Sequence, residues 1–445
     1  MFASTAVSRD ALFQRTPAPS ATKHLVMRLP QMMHQPGPVG PGGFGWPLNP
    51  AWISLPRPMN PPESPRSHFR LSRLLAALVA LPIAAAAQQP ALNSHEVNPD
   101  RSVTFRYYGP SAQKVTIGLD YDHHQSPMAK GADGVWTFTT TTLQPALHLY
   151  SLDVDGTHIL DPLNRAVDPG LVYLTNEVTV PGLPQLWDAA NVPHGVVHHH
   201  SYRSAAIVGT PGGAEDYYAY TPPGYDAAAR EQYPVLYLLH GWSSAAESWT
   251  HDGKANLILD NLIAQGRAVP MIVVMPMGYG DFGFVTGGFR QWDDESNIGR
   301  NLGLFSSALL SEIVPQVEAG YRVSARREDR AIAGLSMGGG QSLVIGLNHP
   351  DVFAWIGGFS SAVVYNQFDG VFPGVDPKVA PRLLWVACGT EDDLIEPNRR
   401  FVAWLRTKAL QPTAVETPGI HNWPVWRDNL IHFAPLLFRP AAPQS

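Results

Sequence analysis

Apolar runs of strand length alternate with stretches of helical periodicity over the second half of the chain, from about residue 204 onward. This alternation is typical of βαβ units and predicts a mainly parallel sheet flanked by helices. Two of the runs, 235–239 and 271–275, are continuously apolar, as expected for strands that are buried on both faces. The strands predicted in this region are 216–220, 234–239, 271–275, 330–333, 354–358, 383–387 and 413–416.

A different pattern precedes this region, in which short alternating runs rich in Val, Thr, Tyr and Phe are separated by turn residues. Asp-Gly pairs at 133–134 and 155–156 supply tight-turn chemistry between such runs. The pattern predicts a small all-β sandwich over residues 92–182, a linker over 183–197 and an α/β unit over 198–440. The strands predicted within the sandwich are 103–107, 114–117, 135–138 and 147–152.

The residues before the sandwich divide into two segments of different character. Residues 1–65 are rich in Pro, Gly, Ser and Met and lack a sustained apolar period, which predicts a disordered leader or a gene-model artefact. Residues 66–87 combine a basic start, an apolar run and a stretch of alanines, the layout of a secretory signal peptide that ends near Ala87. A buried helix is the alternative for this run, and Met59 is well placed to start a signal peptide. The run is too short for a stable membrane anchor, so we expect a secreted or periplasmic protein.

Composition limits the partners and cofactors of the chain. Its 445 residues, 44% of them hydrophobic, exceed what one core usually organises and predict two or more compact units. The formal charge is −6 and the sequence shows no cluster of Lys and Arg, so we expect no nucleic-acid partner. Cys388 is the single cysteine, and the consecutive His198, His199 and His200 should point to alternate faces of a strand. We therefore expect neither an intramolecular disulfide nor a metal site.

The most informative motif is Gly334-Leu335-Ser336-Met337-Gly338, which follows an apolar strand and precedes a helical pattern. A Gly-x-Ser-x-Gly in this context predicts a nucleophile elbow, with the Ser336 hydroxyl exposed at the turn. Gly334 and Gly338 are required because so sharp a turn brings backbones together and leaves no room for a Cβ. The motif makes Ser336 the candidate nucleophile.

A serine nucleophile needs a base to accept its proton and an acid to orient that base. Asp392 and Asp393 both lie in the loop after a predicted strand, and these residues alone leave the choice between them open. His421 follows the last predicted strand, whereas His349 and His432 lie in or beside helical stretches. The resulting order of serine, aspartate and histidine is the one that α/β-hydrolases use.

The loops around the sheet carry two further candidate functions. Acyl transfer passes through an oxyanion, for which the backbone N–H groups of Met337 and Trp242 are the candidate donors. The loop 278–292 contains several aromatic residues, of which Phe289 and Trp292 are candidates for stacking on an acyl group or a sugar ring. The alternative for these aromatic residues is a small satellite core beneath the loop.

Five phrases of the α/β region carry a family resemblance: 221–225, 233–241, 331–340, 388–390 and 421–427. Together they resemble the esterase-D-type carbohydrate esterases, which include feruloyl and acetylxylan esterases, over nearly all of residues 204–437. In this group a Gly-Thr-x-Asp phrase carries the acid, and the resemblance therefore implies Asp392. Ile420 departs from the pattern, since a glycine commonly precedes the catalytic histidine in the group.

The β region carries a second resemblance, through its phrases at 134–136, 150–156 and 161–164. These are similar to the immunoglobulin-like early-set domains that precede the catalytic unit in some carbohydrate and siderophore esterases. Such a domain binds a glycan or only shapes one wall of the active site, and both roles stay open here.

Together the resemblances imply a secreted serine esterase that hydrolyses carboxylic esters through an acyl-serine intermediate, without a metal or an organic cofactor. The implied substrates are feruloyl or acetyl esters of plant cell-wall polysaccharide, as small molecules or as polymers. The alternatives are a siderophore esterase of the enterochelin type, an acyltransferase and a non-catalytic carbohydrate-binding protein with a hydrolase fold. Formylglutathione, a cytosolic substrate, conflicts with the predicted signal peptide. The sequence indicates neither the acyl group nor the oligomeric state.

Overall fold

The computed structural model describes residues 92–120, 125–168, 170–228 and 230–439. The predicted leader, residues 1–65, and the predicted signal peptide, residues 66–87, lie outside these ranges. Among the residues described, no helix combines the length and the apolar character needed to cross a lipid bilayer.

The β region forms two antiparallel sheets that share one apolar core, to which Phe105, Trp136 and Tyr150 contribute large side chains. The strand order in the first sheet is His95–Val97, Val103–Tyr108, Val135–Thr139 and Ala129–Lys130. The order in the second sheet is Ser126–Pro127, Val115–Leu119, Ala146–Val154, Thr175–Val180 and Val167–Asp168, and Thr157–Ile159 pairs with Ala146–Val154.

The sequence pattern predicts the four strands that hold most of this core and misses the others. Thr157–Ile159 and Val167–Asp168 are too short and polar for an alternation of apolar residues to be visible. Thr175–Val180 contains a buried polar residue, Asn176, whose side chain accepts from the Asp161 N–H at 2.7 Å. A side chain that is buried for its hydrogen bonds has no signature in hydrophobic patterning.

The α/β region contains a central sheet of eight strands within the described residues, and all seven predicted strands are present. Its first two pairings are antiparallel and the remaining pairings are parallel. The unpredicted strand begins inside the predicted linker and is polar and partly exposed, as suits an edge. The strand order is Val196–Tyr202, Glu215–Thr221, Ile272–Pro276, Val235–Leu239, Arg330–Leu335, Trp355–Phe359, Leu383–Gly389 and Thr413–Thr417.

Apolar side chains of the central strands alternate between the two faces of this sheet. Val235, Tyr237 and Leu239 enter one cluster, while Leu236 and Leu238 enter the other. The first face is covered by Gly283–Thr286, Glu295–Ala308, the π-helical turn Leu309–Ile313, Val314–Gly320, Ser336–Asn348 and Ile395–Thr407. The second is covered by Ser248–His251, Ala255–Ala264 and Trp423–Phe433. Short 3₁₀ turns lie at Pro211–Gly213, Phe289–Asp293, Arg327–Asp329, Pro377–Val379 and Ala434–Leu436.

The β region packs directly against the α/β region. Leu149 joins the same apolar cluster as Trp249. Arg427 donates from Nη2 to the Leu147 carbonyl at 3.1 Å, and the Leu171 N–H donates to the Ser243 carbonyl at 2.6 Å. The second of these bonds joins the β region to the loop that carries Trp242.

Candidate active site

Ser336 lies at the junction between strand Arg330–Leu335 and helix Ser336–Asn348, with a left-handed φ of 52°. A non-glycine residue in this conformation is strained, as expected at a nucleophile elbow. A Cβ on Gly334 would lie 2.6 Å from the Gly338 backbone, and one on Gly338 would lie 2.4 Å from the His240 carbonyl oxygen. Both glycines are therefore needed for close backbone contact, as the motif predicts.

The structure brings Ser336, His421 and Asp392 into one chain of contacts. His421 Nε2 lies 2.9 Å from Ser336 Oγ, and His421 Nδ1 lies 2.8 Å from Asp392 Oδ2. An ionised carboxylate only accepts hydrogen bonds, so Nδ1 carries the hydrogen and Nε2 accepts from the serine hydroxyl. This is the tautomer in which the imidazole can take the proton of Ser336.

Asp392 and Asp393 differ in burial and contacts. Asp392 is 2% exposed and its Oδ1 accepts from the Leu394 N–H at 2.8 Å, whereas Asp393 is exposed. Burial opposes ionisation of Asp392, but the hydrogen bonds from His421 and the Leu394 N–H outweigh it and lower the pKa of the carboxyl group below its usual value. Asp392 is thus the aspartate in contact with the imidazole.

Backbone hydrogen bonds tie the loop of Asp392 to the loop of His421. Thr390 N–H donates to the Thr417 carbonyl at 2.8 Å, and Glu391 N–H donates to the Gly419 carbonyl at 3.0 Å. Gly419, with a φ of 125°, takes the turn that only glycine adopts readily. The loop therefore presents His421 although Ile420 replaces the usual glycine.

The loop after strand Val235–Leu239 is held by His240, which is fully buried. The Gly278 N–H donates to His240 Nε2 at 2.8 Å, so Nδ1 is the protonated nitrogen and donates to the Gly241 carbonyl at 2.7 Å. Burial lowers the pKa of His240 to about 4, which keeps the ring neutral. Gln341 supports the same contact from Nε2, which donates to the Gly278 carbonyl at 2.7 Å. Sequence reasoning identified neither Gly278 nor Gln341, because no motif marks them.

The two candidate oxyanion donors lie next to the nucleophile along the backbone. Met337 is the second residue of the helix that begins at Ser336, where backbone N–H groups lack intrahelical acceptors. Trp242 follows Gly241, at which a Cβ would lie 3.3 Å from the Cβ of Ser336. The two N–H groups thus belong to segments that meet at Ser336.

The aromatic residues of loop 278–292 divide into a buried and a surface group. Tyr279 and Phe284 belong to the core, and half-buried Trp292 packs at 5.0 Å against Phe284. Phe289 is 53% exposed and stands edge-on to Trp242 at 5.7 Å. The satellite-core interpretation therefore fits Tyr279 and Phe284, while Phe289 is open to a ligand.

The β region contributes an aromatic residue to the same surface. Tyr173 is 48% exposed and its ring lies 6.3 Å from that of Trp242. Its N–H donates to Ser243 Oγ at 3.3 Å, which fixes the segment beside the active-site loop. No sequence motif predicted Tyr173, because the contact depends on how the two regions pack.

The other histidines in the described part of the chain make no hydrogen bond to Ser336, His421 or Asp392. His432 lies in helix Trp423–Phe433, where its Nδ1 contacts the Asp428 carbonyl at 2.8 Å. The rings of His198 and His200 lie on one face of their strand, 6.5 Å apart, and His199 stacks on Tyr218 instead. The three consecutive histidines therefore place only two of their rings, those of His198 and His200, on one face of the strand.

The central sheet, the turn at Ser336 and the three contacting side chains are features that can be compared with those of known protein families. Residues 211–437, about half of the chain, match the family described as putative esterase. The chain belongs to this esterase family, whose characterised relatives are carboxylic ester hydrolases. Residues 92–169 match carbohydrate-binding module 48, the isoamylase N-terminal domain. Both resemblances drawn from the sequence motifs are confirmed.

Two relatives of the chain have functions that are more specific than the family description. An endo-1,4-beta-xylanase/feruloyl esterase from Xylanibacter ruminicola is 30% identical over 360 residues, which cover 79% of this chain and 47% of that protein. An acetyl esterase from Caldicellulosiruptor saccharolyticus is 23% identical over 232 residues, which cover 44% of this chain and 80% of that protein. The chain therefore spans about half the length of the xylanase/feruloyl esterase.

A solved structure with similar architecture is the enterochelin esterase from Shigella flexneri. It is 18% identical, with a TM-score of 0.59, over 78% of this chain and 95% of that chain. At this identity the likeness shows a shared esterase-type hydrolase fold.

Proposed function

We propose that this protein is a secreted serine esterase of the α/β-hydrolase type that cleaves carboxylic esters through an acyl-serine intermediate. The observation that carries the proposal is the chain of contacts from Ser336 Oγ through His421 to Asp392, at 2.9 and 2.8 Å. In this arrangement the serine loses a proton, the imidazole accepts it, and the ionised carboxylate stabilises the imidazolium that forms.

The first half-reaction forms the acyl-enzyme. Ser336 Oγ attacks the carbonyl carbon of the ester while its proton moves to His421 Nε2. The tetrahedral intermediate then collapses, the bond from the carbonyl carbon to the alcohol oxygen breaks, and Nε2 donates its proton to the departing alcohol. The second half-reaction repeats these steps with water, and it releases the carboxylic acid and free Ser336.

Backbone N–H groups stabilise the oxyanion of both intermediates. Met337 supplies one donor, at the positive end of the helix dipole. Trp242 supplies the other. The carbonyl and N–H of a trans peptide point in opposite directions, so the Trp242 N–H points away from the side on which the Gly241 carbonyl lies. By holding the Gly241 carbonyl at 2.7 Å, His240 fixes the plane of the Gly241–Trp242 peptide. His240 is therefore a positioning residue for the donor.

The favoured substrates are feruloyl or acetyl esters of plant cell-wall polysaccharide. The xylanase/feruloyl esterase and acetyl esterase relatives support this class. The exposed rings of Tyr173 and Phe289, which both lie next to Trp242, offer a surface on which an aromatic acyl group or a sugar ring stacks. An enterochelin-type ester is the rival substrate, because an enterochelin esterase shares the fold.

Export is part of the same proposal and rests on residues 66–87. The expected mature protein begins near Gln88. N-terminal sequencing of protein from the periplasm or medium of a bacterial host tests this directly. A chain recovered only from the cytoplasm with residues 66–87 attached contradicts export and leaves the esterase proposal intact.

The experiment that tests the activity is release of p-nitrophenol from acetyl and feruloyl esters, alongside Ser336→Ala and His421→Ala. We expect turnover in the parent and a loss of roughly 10⁴-fold or more in each variant, because the residues act as a unit. The ratio between the two esters, with enterochelin as a third substrate, ranks the acyl groups. An inactive parent, or activity that survives Ser336→Ala, contradicts the proposal and favours the carbohydrate-binding alternative.

A further inference from the structure

A second cluster of ionisable side chains lies where the β region meets the α/β region. It consists of Glu177 on strand Thr175–Val180 and of His251 and Asp252 at the end of helix Ser248–His251. One potential ligand atom from each side chain lies within 4.8 Å of the other two. Over the ranges that the structure describes, this is the one group of three His, Cys, Asp or Glu side chains that approach so closely.

The spacing of these atoms suits a single ion. His251 Nδ1 lies 2.9 Å from Asp252 Oδ1 and 3.2 Å from Glu177 Oε1. Ligands about 2.1 Å from a tetrahedral ion are roughly 3.4 Å from one another. Small side-chain adjustments therefore suffice to place an ion between the three atoms. One imidazole with two carboxylates is a donor set typical of Zn²⁺.

Two carboxylate oxygens of the cluster make no hydrogen bond within the described part of the chain, although one of them lies 3.2 Å from His251 Nδ1. They are Glu177 Oε1 and Asp252 Oδ2, both buried. The Asp252 side chain is 1% exposed and that of Glu177 is 12% exposed. A buried carboxylate without its full set of partners is costly, and a bound cation supplies the missing interaction.

The buried Arg427 side chain does not supply that interaction. Arg427, which is buried, donates to the backbone carbonyls of Asp252 and Leu147, at 3.5 and 3.1 Å. The Arg427 guanidinium therefore hydrogen-bonds to backbone carbonyls and to neither carboxylate.

We propose that Glu177, His251 and Asp252 bind one divalent cation of the zinc type, which fastens the β region to the α/β region. The ion takes one ligand from the first region and two from the second. The His251 side chain is 38% exposed, which provides a path for the ion to enter. The site is structural, and the ion takes no part in ester cleavage.

The helix that carries His251 also supports the active-site scaffold. Trp249, two residues earlier, donates from Nε1 to the Leu239 carbonyl at 2.9 Å. Its ring packs edge-on at 5.4 Å against Trp423, which begins the helix after the His421 loop. Cation binding should therefore raise the thermal stability of the whole described unit.

The test is Zn²⁺ titration of the full-length protein after removal of metals with a chelator, followed by calorimetry and thermal unfolding. We expect one tight equivalent and an increase in Tm on addition of Zn²⁺. Glu177→Gln preserves the shape of the side chain but removes a charged ligand, so it should weaken binding by at least about 10-fold and abolish the increase in Tm. If Glu177→Gln does not fold, His251→Gln takes its place because that side chain is partly exposed. Bound Co²⁺ should give the visible absorption of an imidazole-containing site in the parent, and this absorption should be missing in Glu177→Gln.

The matched control is His198→Gln, which alters the histidine run and leaves the cluster intact. We expect this variant to bind Zn²⁺ as tightly as the parent. Absence of tight binding in the parent, undiminished binding in Glu177→Gln, or loss of binding in His198→Gln overturns the proposal. All titrations can be repeated on Ser336→Ala, so an inactive esterase and an absent metal site give distinguishable results.

Discussion

Two histidines in this protein, His421 and His251, each hold a carboxylate through Nδ1, but their remaining contacts differ. At His421 the partners lie on opposite edges of the ring, with Asp392 at 2.8 Å from Nδ1 and the Ser336 hydroxyl at 2.9 Å from Nε2. An acceptor at one nitrogen and a donor at the other define a single tautomer and a direction for proton transfer. The first arrangement therefore has the geometry of the proposed proton relay.

At His251 both carboxylates converge on one nitrogen. Asp252 lies 2.9 Å and Glu177 3.2 Å from Nδ1. No direction for proton transfer is defined there, and negative charge accumulates at one point. The function of a histidine–carboxylate pair therefore depends on the partners of both imidazole nitrogens.

A third histidine extends the comparison. His148 Nδ1 faces Asp120 Oδ2 at 2.5 Å, and its Nε2 faces the Gln144 carbonyl at 2.8 Å. Acceptors at both nitrogens favour the doubly protonated ring. The same residue pair thus supports a relay, a cation site or a buried ion pair, depending on its second contact.

The largest expected effect separates the first two histidines. His421→Gln removes the base and should lower turnover by roughly 10⁴-fold or more, whereas His251→Gln should lower it by less than about 10-fold. Rates with p-nitrophenyl acetate and thermal unfolding of both variants check this. A collapse of turnover in a folded His251→Gln protein would remove the distinction between the two sites.

The next effect concerns the acid of the relay. Asp392→Asn leaves the volume unchanged but favours the wrong imidazole tautomer, so we expect a loss of kcat of about 10⁴-fold. The neighbouring Asp393→Asn is the matched control and should stay within about 2-fold of the parent, since Asp393 is exposed. Equal losses in the two variants would count against Asp392 as the orienting residue.

A smaller effect is expected at His240. His240→Gln loses the ring that holds the Gly241 carbonyl, which should misdirect the Trp242 N–H and lower kcat by roughly 10- to 100-fold. KM should change little, because the donor acts mainly on the transition state. Steady-state kinetics with two esters provide the measurement. A change confined to KM would assign His240 to substrate binding instead.

The smallest effect is a pH dependence of stability. Burial opposes the charge of His148, but the hydrogen bond and negative charge of Asp120 outweigh it and raise the pKa of His148. The folded state then binds the proton more tightly, so this stabilisation is present below about pH 6.5 and is lost as the pH rises through the raised pKa. His148→Asn should remove this pH-dependent decrease from the profile of the unfolding free energy. Urea unfolding of parent and variant across this range checks the sign, and identical profiles would contradict it.

The sequence predicted the central sheet and the relay for one physical reason. Continuous apolar runs identify buried parallel strands, and the loops after such strands meet at one edge of the sheet. Ser336 and Asp392 each follow such a strand, and His421 follows the more exposed parallel edge strand Thr413–Thr417, so their proximity could be inferred from chain order. Their catalytic roles stay a prediction until the variants are measured.

Contacts between the two regions could not be predicted in this way. Tyr173 reaches Trp242, and Glu177 reaches His251, only because the β region packs on one particular side of the α/β region. Periodicity describes a residue's own strand or helix and carries no information about such packing. The hold of His240 on the Gly241 carbonyl likewise depends on Gly278, 38 residues away.

The central claim is that Ser336 is the nucleophile that His421 activates. The most direct measurement is mass spectrometry of the parent, Ser336→Ala and His421→Ala proteins after reaction with a fluorophosphonate, which traps activated serines. The account predicts one label on the Ser336 peptide of the parent, none in Ser336→Ala and greatly slowed labelling in His421→Ala. A label on another serine, or full esterase activity in a parent protein that takes up no label, would contradict it.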